Sequence, residues 1–359
     1  MLEIILISIG VLMIVATALP MVRSDAWWIR VFDFPRLQIT FLAALVLVAY
    51  LFVVRPTELG ELAFAAILAA GLAYQAYMMF PYTRLSGKQV QQSINPQPDS
   101  TFSLLFANVL MTNRDSEHLK EIIKESDPDI ILTAESDDWW AGQLAYLGDT
   151  YPYSVKQPQD NTYGLILYSK LELIDPQVRF LIRDDIPSIH GKVRMRSGLE
   201  VEIRCLHPRP PFPTEDETST GRDAELLLVG KEMKNQDSPA VVFGDLNDVA
   251  WSRTNYLFQD ISGLLDPRIG RGFYHTFHAK YPFIRFPLDH FFHSNHFRLV
   301  DFRRLSYFGS DHFPVYINLS YEPDAEYVQQ ELQADTSQLT EAREKIAEAV
   351  TAAANYARL

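Results

Sequence analysis

The sequence predicts an α/β domain preceded by three transmembrane helices. Three observations support this prediction. Residues 1–82 contain three long apolar stretches, the middle of the chain is rich in short β-branched and aromatic stretches, and several of these short stretches end in a carboxylate, an amide or an imidazole. Apolar stretches of that length suit a bilayer, and polar side chains gathered at strand ends line a shared crevice in α/β proteins.

The first region, 1–82, is predicted to be a membrane domain. Its apolar stretches Leu2–Met21, Leu37–Val54 and Leu62–Phe80 each approach the roughly 20 residues that cross a bilayer as a helix. Aromatic and arginine side chains flank these stretches, as is typical of a membrane interface: Trp27, Trp28, Tyr82, Arg30, Arg36, Arg55 and Arg84. A cleaved signal peptide followed by two core helices is the alternative, but no basic segment precedes the first stretch.

Two more polar segments flank the α/β domain, which is predicted to span residues 101–321. Residues 83–100 contain proline, glycine and a cluster of Gln, Asn and Ser without a helical apolar period, and they are predicted to be a linker. Residues 322–359 are rich in Ala, Glu and Gln, and their apolar positions are too sparse for a wide apolar face. A solvated, partly helical tail is the favoured interpretation, and a partner-binding helix is the alternative.

Strands outnumber helices within 101–321, which favours a sheet sandwich. Besides the apolar stretch before Glu135, the predicted strands are Thr101–Asn108, Tyr163–Tyr168, Val178–Ile182, Ile189–Met195, Leu199–Leu206, Ala240–Phe243, Leu288–His293, Phe297–Leu305 and Val315–Leu319. The predicted helices are Asp115–Ser126, Asp138–Leu147 and about Thr218–Asn235.

The chain is acidic, and its charge is unevenly placed. The formal net charge is −13, and the first 100 residues carry six Lys and Arg against six Asp and Glu, so the negative charge lies beyond them. Because binding to nucleic acid depends on Lys and Arg that displace counterions from phosphates, long duplex nucleic acid is an unfavourable partner. Cys205 is the only cysteine, which excludes an internal disulfide bond.

Six short strings place reactive side chains next to predicted strands. In chain order they are Phe106–Leu110 with Asn108, Ile131–Ser136 with Glu135, Cys205–Pro208 with His207, Val241–Asn247 with Asp245 and Asn247, Pro287–Phe292 with Asp289, and Gly309–Val315 with Asp311 and His312. Asp245 and Asn247 are two residues apart, so on an extended backbone both side chains point to the same side. A turn is an equally good interpretation of that string.

In this order, the six strings resemble the endonuclease/exonuclease/phosphatase family of metal-dependent phosphoesterases, which includes DNase-I-like nucleases, inositol polyphosphate phosphatases and bacterial sphingomyelinases. The resemblance covers about Thr101–Tyr321. It implies a four-layer α/β sandwich, in which two mostly antiparallel sheets pack face to face with helices outside. Leu110 departs from the pattern, because nuclease members with an additional metal-binding carboxylate have Asp there. This departure favours a one-metal site.

The resemblance also implies a metal site. Glu135 is expected to be the metal ligand, because an unpaired carboxylate at the end of a buried strand is costly without a cation. Asn108 supplies an amide from the first strand, and Asp311 joins the metal shell or its waters. Hard oxygen ligands and the absence of a thiolate favour Mg²⁺ or Mn²⁺ over zinc.

Five further residues are implied to act in catalysis. Asp245 is expected to orient or deprotonate the attacking water, and Asn247 to hold a phosphoryl oxygen. His312 is expected to contact the phosphate, with Asp289 fixing its tautomer. His207 is placed to donate to a phosphoryl oxygen or to the leaving group. The implied reaction is hydrolysis of a phosphodiester or phosphomonoester by in-line attack of water.

Two alternatives concern the chemistry. His275 and His278, followed by His290, His293 and His296, have spacings that suit zinc on one helix face. That stretch is predicted to be strand and turn, where alternate side chains diverge, so surface or core histidines are favoured. The second alternative is a catalytically silent binding or scaffolding protein of the same fold. The enzyme is favoured because every implied acid and histidine is present.

The arginine distribution also predicts an orientation. Arg55 stands alone on one side of the three apolar stretches, whereas the other side carries Arg23, Arg30, Arg36, Arg84 and Lys88. The richer side is expected to be cytoplasmic, which places the α/β domain in the cytoplasm at a bacterial-type inner membrane. The expected partners are this lipid bilayer and a phosphoester substrate. A phospholipid headgroup, a nucleotide-type diester and a short nucleic acid are the open candidates. Tethering to a membrane favours a lipid-like phosphoester, but no feature of the sequence selects the substrate.

Overall fold

The computed structural model describes residues 1–236 and 238–356. Its α-helices are α1 (Leu2–Ala18), α2 (Trp27–Arg30), α3 (Arg36–Val53), α4 (Leu59–Met79), α5 (Ser116–Ser126), α6 (Asp138–Gln143), α7 (Thr220–Lys234), α8 (Arg253–Ser262), α9 (Ala325–Val328) and α10 (Thr336–Tyr356). Its strands are β1 (Thr101–Asn108), β2 (Ile130–Ala134), β3 (Tyr153–Gln157), β4 (Leu165–Ser169), β5 (Glu172–Phe180), β6 (Pro187–Arg194), β7 (Glu200–Leu206), β8 (Ala240–Asp245), β9 (Asp289–His293), β10 (Phe297–Arg304) and β11 (Val315–Tyr321).

Helices α1, α3 and α4 pack together at the N-terminal end of the chain. They bury small and aliphatic side chains between them, including Ala16, Ala43 and Leu68. Their outer faces are apolar as well, so that Phe41 and Phe52 are 65% and 77% exposed. A helix that is apolar all round is typical of a membrane span. The structure therefore has three helices that are long and apolar enough to cross a membrane.

The α/β domain contains two sheets in the described part of the chain. The strand order is β10-β11-β1-β2-β4-β3 in the first sheet and β5-β6-β7-β8-β9 in the second. β1 is parallel to β2 and β7 is parallel to β8, whereas the other neighbouring pairs are antiparallel. The mostly antiparallel sheets agree with the sequence-based expectation.

The main core lies between the two sheets. Phe106 and Leu132 from the first sheet join Phe243 and Phe291 from the second in one buried cluster. On the outer faces, α5 and α6 cover the first sheet, and α7 and α8 cover the second. These four layers are the predicted α/β sandwich, and the predicted fold class is confirmed. The near-continuous burial of β1, β2 and β8 shows that these strands are covered on both faces. Strands of this kind need a second sheet on one face and helices on the other.

Several elements differ from the sequence-based expectations: the short helices α2 and α9 were not predicted, and α6 ends at Gln143 rather than Leu147. β3 and α8 were not predicted, and β5 begins at Glu172 rather than near Val178. β3 and β5 are strands at the ends of their sheets, and their residues are mostly exposed or half-buried. Such strands lack the apolar alternation on which the prediction depends. α8 has a local start signal that the prediction missed, because the Ser252 side chain accepts a hydrogen bond from the Asn255 N–H.

The predicted linker, 83–100, packs closely on the α/β domain. Val90 is fully buried in the core between the sheets. The Ser93 backbone N–H donates to the carbonyl of Leu299 at 2.8 Å, and the Gln91 N–H donates to the side chain of Gln329 at 2.6 Å. The connection is therefore held along the edge strand β10 by backbone hydrogen bonds, which a composition-based prediction does not detect.

The expectation of a solvated tail is wrong for α10, which packs against α7 and α8. Ala342 and Ala349 are at most 2% exposed. The Lys345 ammonium forms ion pairs with Asp25 and Asp223, and Asp25 lies in the loop between α1 and α3. A narrow alanine face allows close helix packing, and the ion pairs add to it, so a wide apolar face is not required. α10 thus connects the α/β domain to the loop that precedes α3.

Glu225 on α7 gives a prediction about stability. It is buried, and its Oε1 atom has no hydrogen-bond partner among the described residues. Burial raises the pKa of Glu225 to about 8 from 4.5. The folded chain therefore holds a proton that the unfolded chain releases. The contribution of protonated Glu225 to the free energy of unfolding is fully present below about pH 4.5 and is lost as the pH rises through 8.

We therefore expect Glu225→Gln to raise the unfolding temperature above pH 8 and to change it far less at pH 5. The rise of the pKa from 4.5 to about 8 corresponds to an expected gain in the free energy of unfolding of at most about 5 kcal/mol well above pH 8. Thermal unfolding of the detergent-solubilised protein across this pH range measures it, with the exposed Glu125→Gln as the matched control. An equal gain at pH 5 and pH 9 would contradict the assigned titration.

Candidate active site

The predicted site residues meet at one edge of the sandwich. Parallel pairing places the carboxyl ends of β1 and β2 together, and likewise those of β7 and β8. β11 and β9 run antiparallel to β1 and β8, so their amino ends lie at the same edge. The strand ends at this edge carry Asn108, Glu135, His207, Asp245, Asp289 and His312.

Asp245 joins the two sheets at the centre of the site. Its Oδ2 atom accepts a hydrogen bond from Asn108 Nδ2 at 3.1 Å. The same oxygen lies 3.5 Å from His312 Nε2 and 3.8 Å from His207 Nε2. Burial raises the pKa of Asp245, and the nearby Asp289 adds to this rise, while the histidines oppose it. A buried carboxylate between two imidazoles is arranged for proton exchange.

Glu135 follows β2 on the first sheet. Its carboxylate accepts hydrogen bonds from two neutral donors, Asn108 Nδ2 at 2.9 Å and the Met111 N–H at 3.2 Å. Burial raises the pKa of Glu135 to about 7, and the charge of Asp311 adds to the rise. The site therefore leaves Glu135 with less positive charge nearby than an ionised buried carboxylate requires.

His312 and Asp289 form a buried pair. His312 Nδ1 lies 3.1 Å from both carboxylate oxygens of Asp289. Burial alone would lower the pKa of His312, but the carboxylates of Asp289 and Asp245 outweigh it and raise the pKa to about 10. The Asp289 carboxylate therefore holds a proton on Nδ1 and points Nε2 towards Asp245. The predicted partnership of these two residues is present in the structure.

His207 and Asp311 also lie at the site. The His207 ring is 3% exposed, and its Nδ1 atom has no hydrogen-bond partner among the described residues. Burial lowers the pKa of His207, which favours the neutral ring. Asp311 is half-buried and close enough that its charge acts on Glu135 and His312. All three predicted oxygen ligands, Asn108, Glu135 and Asp311, are therefore within one cluster.

The extended-backbone interpretation of Asn247 is wrong. β8 ends at Asp245, and Asn247 has a φ of +51°, so the chain turns there. The Asn247 N–H donates to Asp245 Oδ1 at 2.9 Å, and its side-chain Nδ2 donates to the carbonyl of Pro208 at 3.0 Å. The turn interpretation is correct. It still leaves the Asn247 side chain beside the segment that carries His207.

Backbone strain is concentrated at this edge. Leu110, Glu135 and Asn247 are non-glycine residues with φ values of +55°, +58° and +51°. Such conformations cost of order 1 kcal/mol or more each and persist where the surrounding structure enforces them. Gly244 has a φ of +143°, and a Cβ atom there would lie 2.0 Å from the carbonyl oxygen of Leu206. Only glycine allows β7 and β8 to approach closely just before Asp245.

Two residues support the site without having been predicted. The ring of Phe277 lies 5.0 Å from the ring of His312, and the two backbones form an isolated bridge. The fully buried Arg222 donates to the carbonyl of Asn247 at 2.8 Å and pairs with Asp248 at 3.4 Å. Neither contact has a signal in the local sequence, because each joins residues at least 25 positions apart.

The histidines considered for zinc do not form one cluster. His290 receives a hydrogen bond from Arg268 on Nδ1 at 2.7 Å, and its Nε2 donates to the carbonyl of Asp248 at 2.8 Å. His293 Nδ1 lies 2.9 Å from the carbonyl of Ser294. His275 stacks on Phe273, with ring centroids 5.4 Å apart. These contacts make His290 and His293 part of the hydrogen-bonded interior, while the half-buried His275 packs against an aromatic ring.

The donor set fits a hard divalent cation. Asp245, Asp289 and His312 present ligand atoms within 4.8 Å of one another. Glu135 lacks the compensating charge that a cation would supply, and the Asp311 carboxylate acts on it from nearby. Asn108 presents its Nδ2 atom to Glu135, while its Oδ1 atom accepts a hydrogen bond from the Leu110 N–H at 3.0 Å. The one cysteine, Cys205, is buried in the core between the sheets and contributes no thiolate. The metal prediction is thus compatible with the geometry.

A two-sheet α/β sandwich with buried acids and histidines at one edge defines the class of this protein. The family model described as the endonuclease/exonuclease/phosphatase family matches residues 105–312, and the chain belongs to that family. Its members are phosphoesterases or nucleases. The predicted family is confirmed. No protein with a curated description matches the chain at a significant level.

Solved structures share the fold at low sequence identity. A humanized D. rerio TDP2 is 14% identical with a TM-score of 0.53, covering 62% of this chain and 99% of its own. The human Nocturnin catalytic domain with bound sulfate is 16% identical with a TM-score of 0.52, and the match covers 64% of this chain and 97% of that domain. An endonuclease/exonuclease/phosphatase from Beutenbergia cavernae is 17% identical with a TM-score of 0.50, covering 62% and 72%. At these identities the likeness shows the fold.

Proposed function

We propose that this protein is a membrane-anchored phosphoesterase that depends on a divalent metal ion, Mg²⁺ or Mn²⁺. The observation that carries the proposal is the buried His312–Asp289 pair directed at Asp245, which Asn108 links to Glu135. Burying four carboxyl and imidazole groups together is costly, and it is typical of a site that binds a cation and moves protons.

The proposed metal ligands are Glu135, Asn108 and Asp311. The group formed by Asp245, Asp289 and His312 also has ligand geometry, but a proton on His312 explains its short distances. Glu135 accepts hydrogen bonds from neutral donors and is the better anchor for a cation. When bound, the cation would neutralise phosphoryl oxygens and stabilise charge on the leaving oxygen.

The remaining residues carry the proposed proton transfers and the binding of phosphate. In hydrolysis, the water oxygen forms a bond to phosphorus, the bond to the alcohol breaks, and the alcohol takes up a proton. Asp245 is assigned as acceptor of the water proton, and protonated His312 as donor to the phosphoryl group. His207 donates a hydrogen bond to a phosphoryl oxygen or the leaving oxygen. Asn247 keeps a second amide N–H for the phosphate.

A panel of substrates tests the proposed function. The purified full chain in detergent, with Mg²⁺, is assayed against a soluble diester, a soluble monoester, a phospholipid and duplex DNA. We expect hydrolysis of at least one phosphoester and loss of that hydrolysis on chelation of the metal. Because the domain is acidic and has Leu110 in place of the nuclease carboxylate, we expect slow cleavage of long duplex DNA. Turnover that persists after chelation would contradict the metal-dependent mechanism.

The orientation of the α/β domain is also a proposal. We expect it on the cytoplasmic side, because that side of the three helices has more Lys and Arg. Phosphatase and green fluorescent protein reporters fused after Leu359 in a bacterial host measure this. A fluorescent fusion with an inactive phosphatase fusion is expected. An active phosphatase fusion with a dark fluorescent protein fusion would place the domain outside the cytoplasm and would contradict the assignment.

A further inference from the structure

A hairpin lies beside His312. Residues 276–286, here called the rim hairpin, pair through Phe277 and Phe286, and the His278 N–H donates to the carbonyl of Ile284 at 3.0 Å. The Ala279 N–H donates to the carbonyl of Asp311 at 2.6 Å. The base of the rim hairpin is thus bound to the segment that carries His312.

The tip of the rim hairpin is apolar and exposed. Tyr281, Phe283 and Ile284 are 57%, 86% and 53% exposed. Each leaves a large apolar area in water, at a cost of about 25 cal/mol per Å². Lys280 and Arg285 flank the three side chains. Aromatic and aliphatic side chains between basic ones are typical of segments that lie in a membrane interface.

The tip lies against the end of a candidate membrane span. Gln38 Nε2 donates to the carbonyl of Phe283 at 2.8 Å. Gln38 is the third residue of α3, which begins at Arg36 and is one of the three apolar helices. At the base, the ring of Phe286 lies 5.6 Å from that of Phe34, just before the same helix. The tip therefore lies beside the first turn of α3, at one end of this candidate span.

Two further hydrogen bonds join the loop after β8 to the residues next to α3 and α4. The Trp251 Nε1–H donates to the carbonyl of Asp33 at 2.7 Å, and the Tyr82 hydroxyl donates to the carbonyl of Ala250 at 2.6 Å. Trp251 and Ala250 follow closely after Asp245 and Asn247 in the chain. The loop after β8 and the rim hairpin both pack against the start of α3 and the end of α4, in one buried cluster.

We propose that the rim hairpin inserts its tip into the bilayer that holds α1, α3 and α4, and that the active site hydrolyses a phosphoester carried on a lipid headgroup at that surface. This inference rests on the proposed phosphoesterase activity and membrane anchoring. A lipid headgroup in the same leaflet is held at the depth of the tip, so the headgroup reaches the active site by lateral diffusion of the lipid. Water adds to the phosphorus of the headgroup, and the lipid alcohol or headgroup alcohol leaves with a proton.

The bilayer is the expected occupant of the tip because the tip is hydrogen-bonded to a residue inside a candidate span. A second protein copy would have to compete with lipid at that position. Tyr327 on α9 is 80% exposed, and α9 packs against β10 rather than against the start of α3. Tyr327 therefore provides a matched control for the tip.

Membrane insertion is tested with a single label. Because the one native cysteine, Cys205, is fully buried, Phe283→Cys introduces one accessible thiol for an environment-sensitive fluorophore. The labelled full chain is placed in lipid nanodiscs with and without spin-labelled lipids that quench fluorescence in the bilayer. We expect at least twofold quenching at position 283 and almost none for labelled Tyr327→Cys. Equal quenching at the two positions would overturn insertion.

The substrate class is tested by a ratio of turnovers. The full chain in nanodiscs is assayed on phosphatidylglycerol and phosphatidylcholine, and on bis(4-nitrophenyl) phosphate as a soluble diester. We expect Phe283→Ser with Ile284→Ser to lower the ratio of lipid turnover to soluble turnover about tenfold, and Tyr327→Ser to leave it unchanged. Hydrolysis of the soluble diester alone, or an unchanged ratio in the tip variant, would overturn the lipid assignment. If no phosphoester is hydrolysed, the proposed function fails with the substrate class, while the quenching result still decides insertion.

Discussion

Replacing Glu135 by glutamine is expected to lower turnover about 1,000-fold, which corresponds to about 4 kcal/mol of transition-state stabilisation. Glutamine has nearly the same shape but no charge, so it does not attract a cation. Its single oxygen keeps one of the two hydrogen bonds from Asn108 and Met111, which bind different oxygens of Glu135. The fold should remain intact, because Glu135 is not part of the apolar core. Turnover at saturating Mg²⁺ measures the effect, together with the rise in unfolding temperature that Mg²⁺ produces in the unmodified protein.

Two comparisons make this result specific. Glu125→Gln is the same substitution on an exposed position of α5, and we expect it to keep both turnover and the Mg²⁺-induced rise. Glu135→Gln should lose both. Near-normal turnover of Glu135→Gln at saturating Mg²⁺ would show that the metal is held elsewhere, and the group of Asp245, Asp289 and His312 would then be the alternative.

The second large effect concerns the pair of His312 and Asp289. His312→Ala is expected to lower kcat/KM about 1,000-fold and Asp289→Asn about 100-fold. The double variant should be hardly worse than His312→Ala. The reason is that the Asp289 carboxylate contacts the ring at 3.1 Å and acts by orienting it, so its effect disappears with the ring.

A double-mutant cycle measures this coupling. The expected coupling free energy is about 3 kcal/mol, nearly the whole cost of Asp289→Asn. Asp289→Asn combined with Glu125→Gln provides a pair without contact, for which additive losses are expected. Additive losses in the His312 and Asp289 cycle would mean that the carboxylate acts independently of the imidazole, for example as a metal ligand.

The location of the site residues was predictable because the signals are local. Each string ends or begins a strand, and parallel or antiparallel pairing brings such ends to one edge of a sheet. Asn247 shows the limit of this reasoning. The spacing of two from Asp245 is compatible with a strand and with a turn, and only the left-handed backbone at Asn247 decides between them.

The ends of the α/β domain show a second limit. α10 and the segment 83–100 have compositions typical of solvated chain, yet both pack on the domain. Their contacts depend on ion pairs and backbone hydrogen bonds with distant partners, such as Lys345 with Asp25 and Ser93 with Leu299. Composition reports how much apolar surface a segment can bury, but not which partners it meets.

The sequence by itself determined the family, the α/β class, the three apolar helices and the identities of the acids and histidines, because each depends on order and periodicity within short segments. Only the tertiary structure decided which of these groups touch. Asn108 meets Asp245 across 137 positions, and Gln38 meets the tip of the rim hairpin across 245. Such contacts depend on sheet register and on the packing of the two sheets and the three apolar helices, which no local pattern encodes.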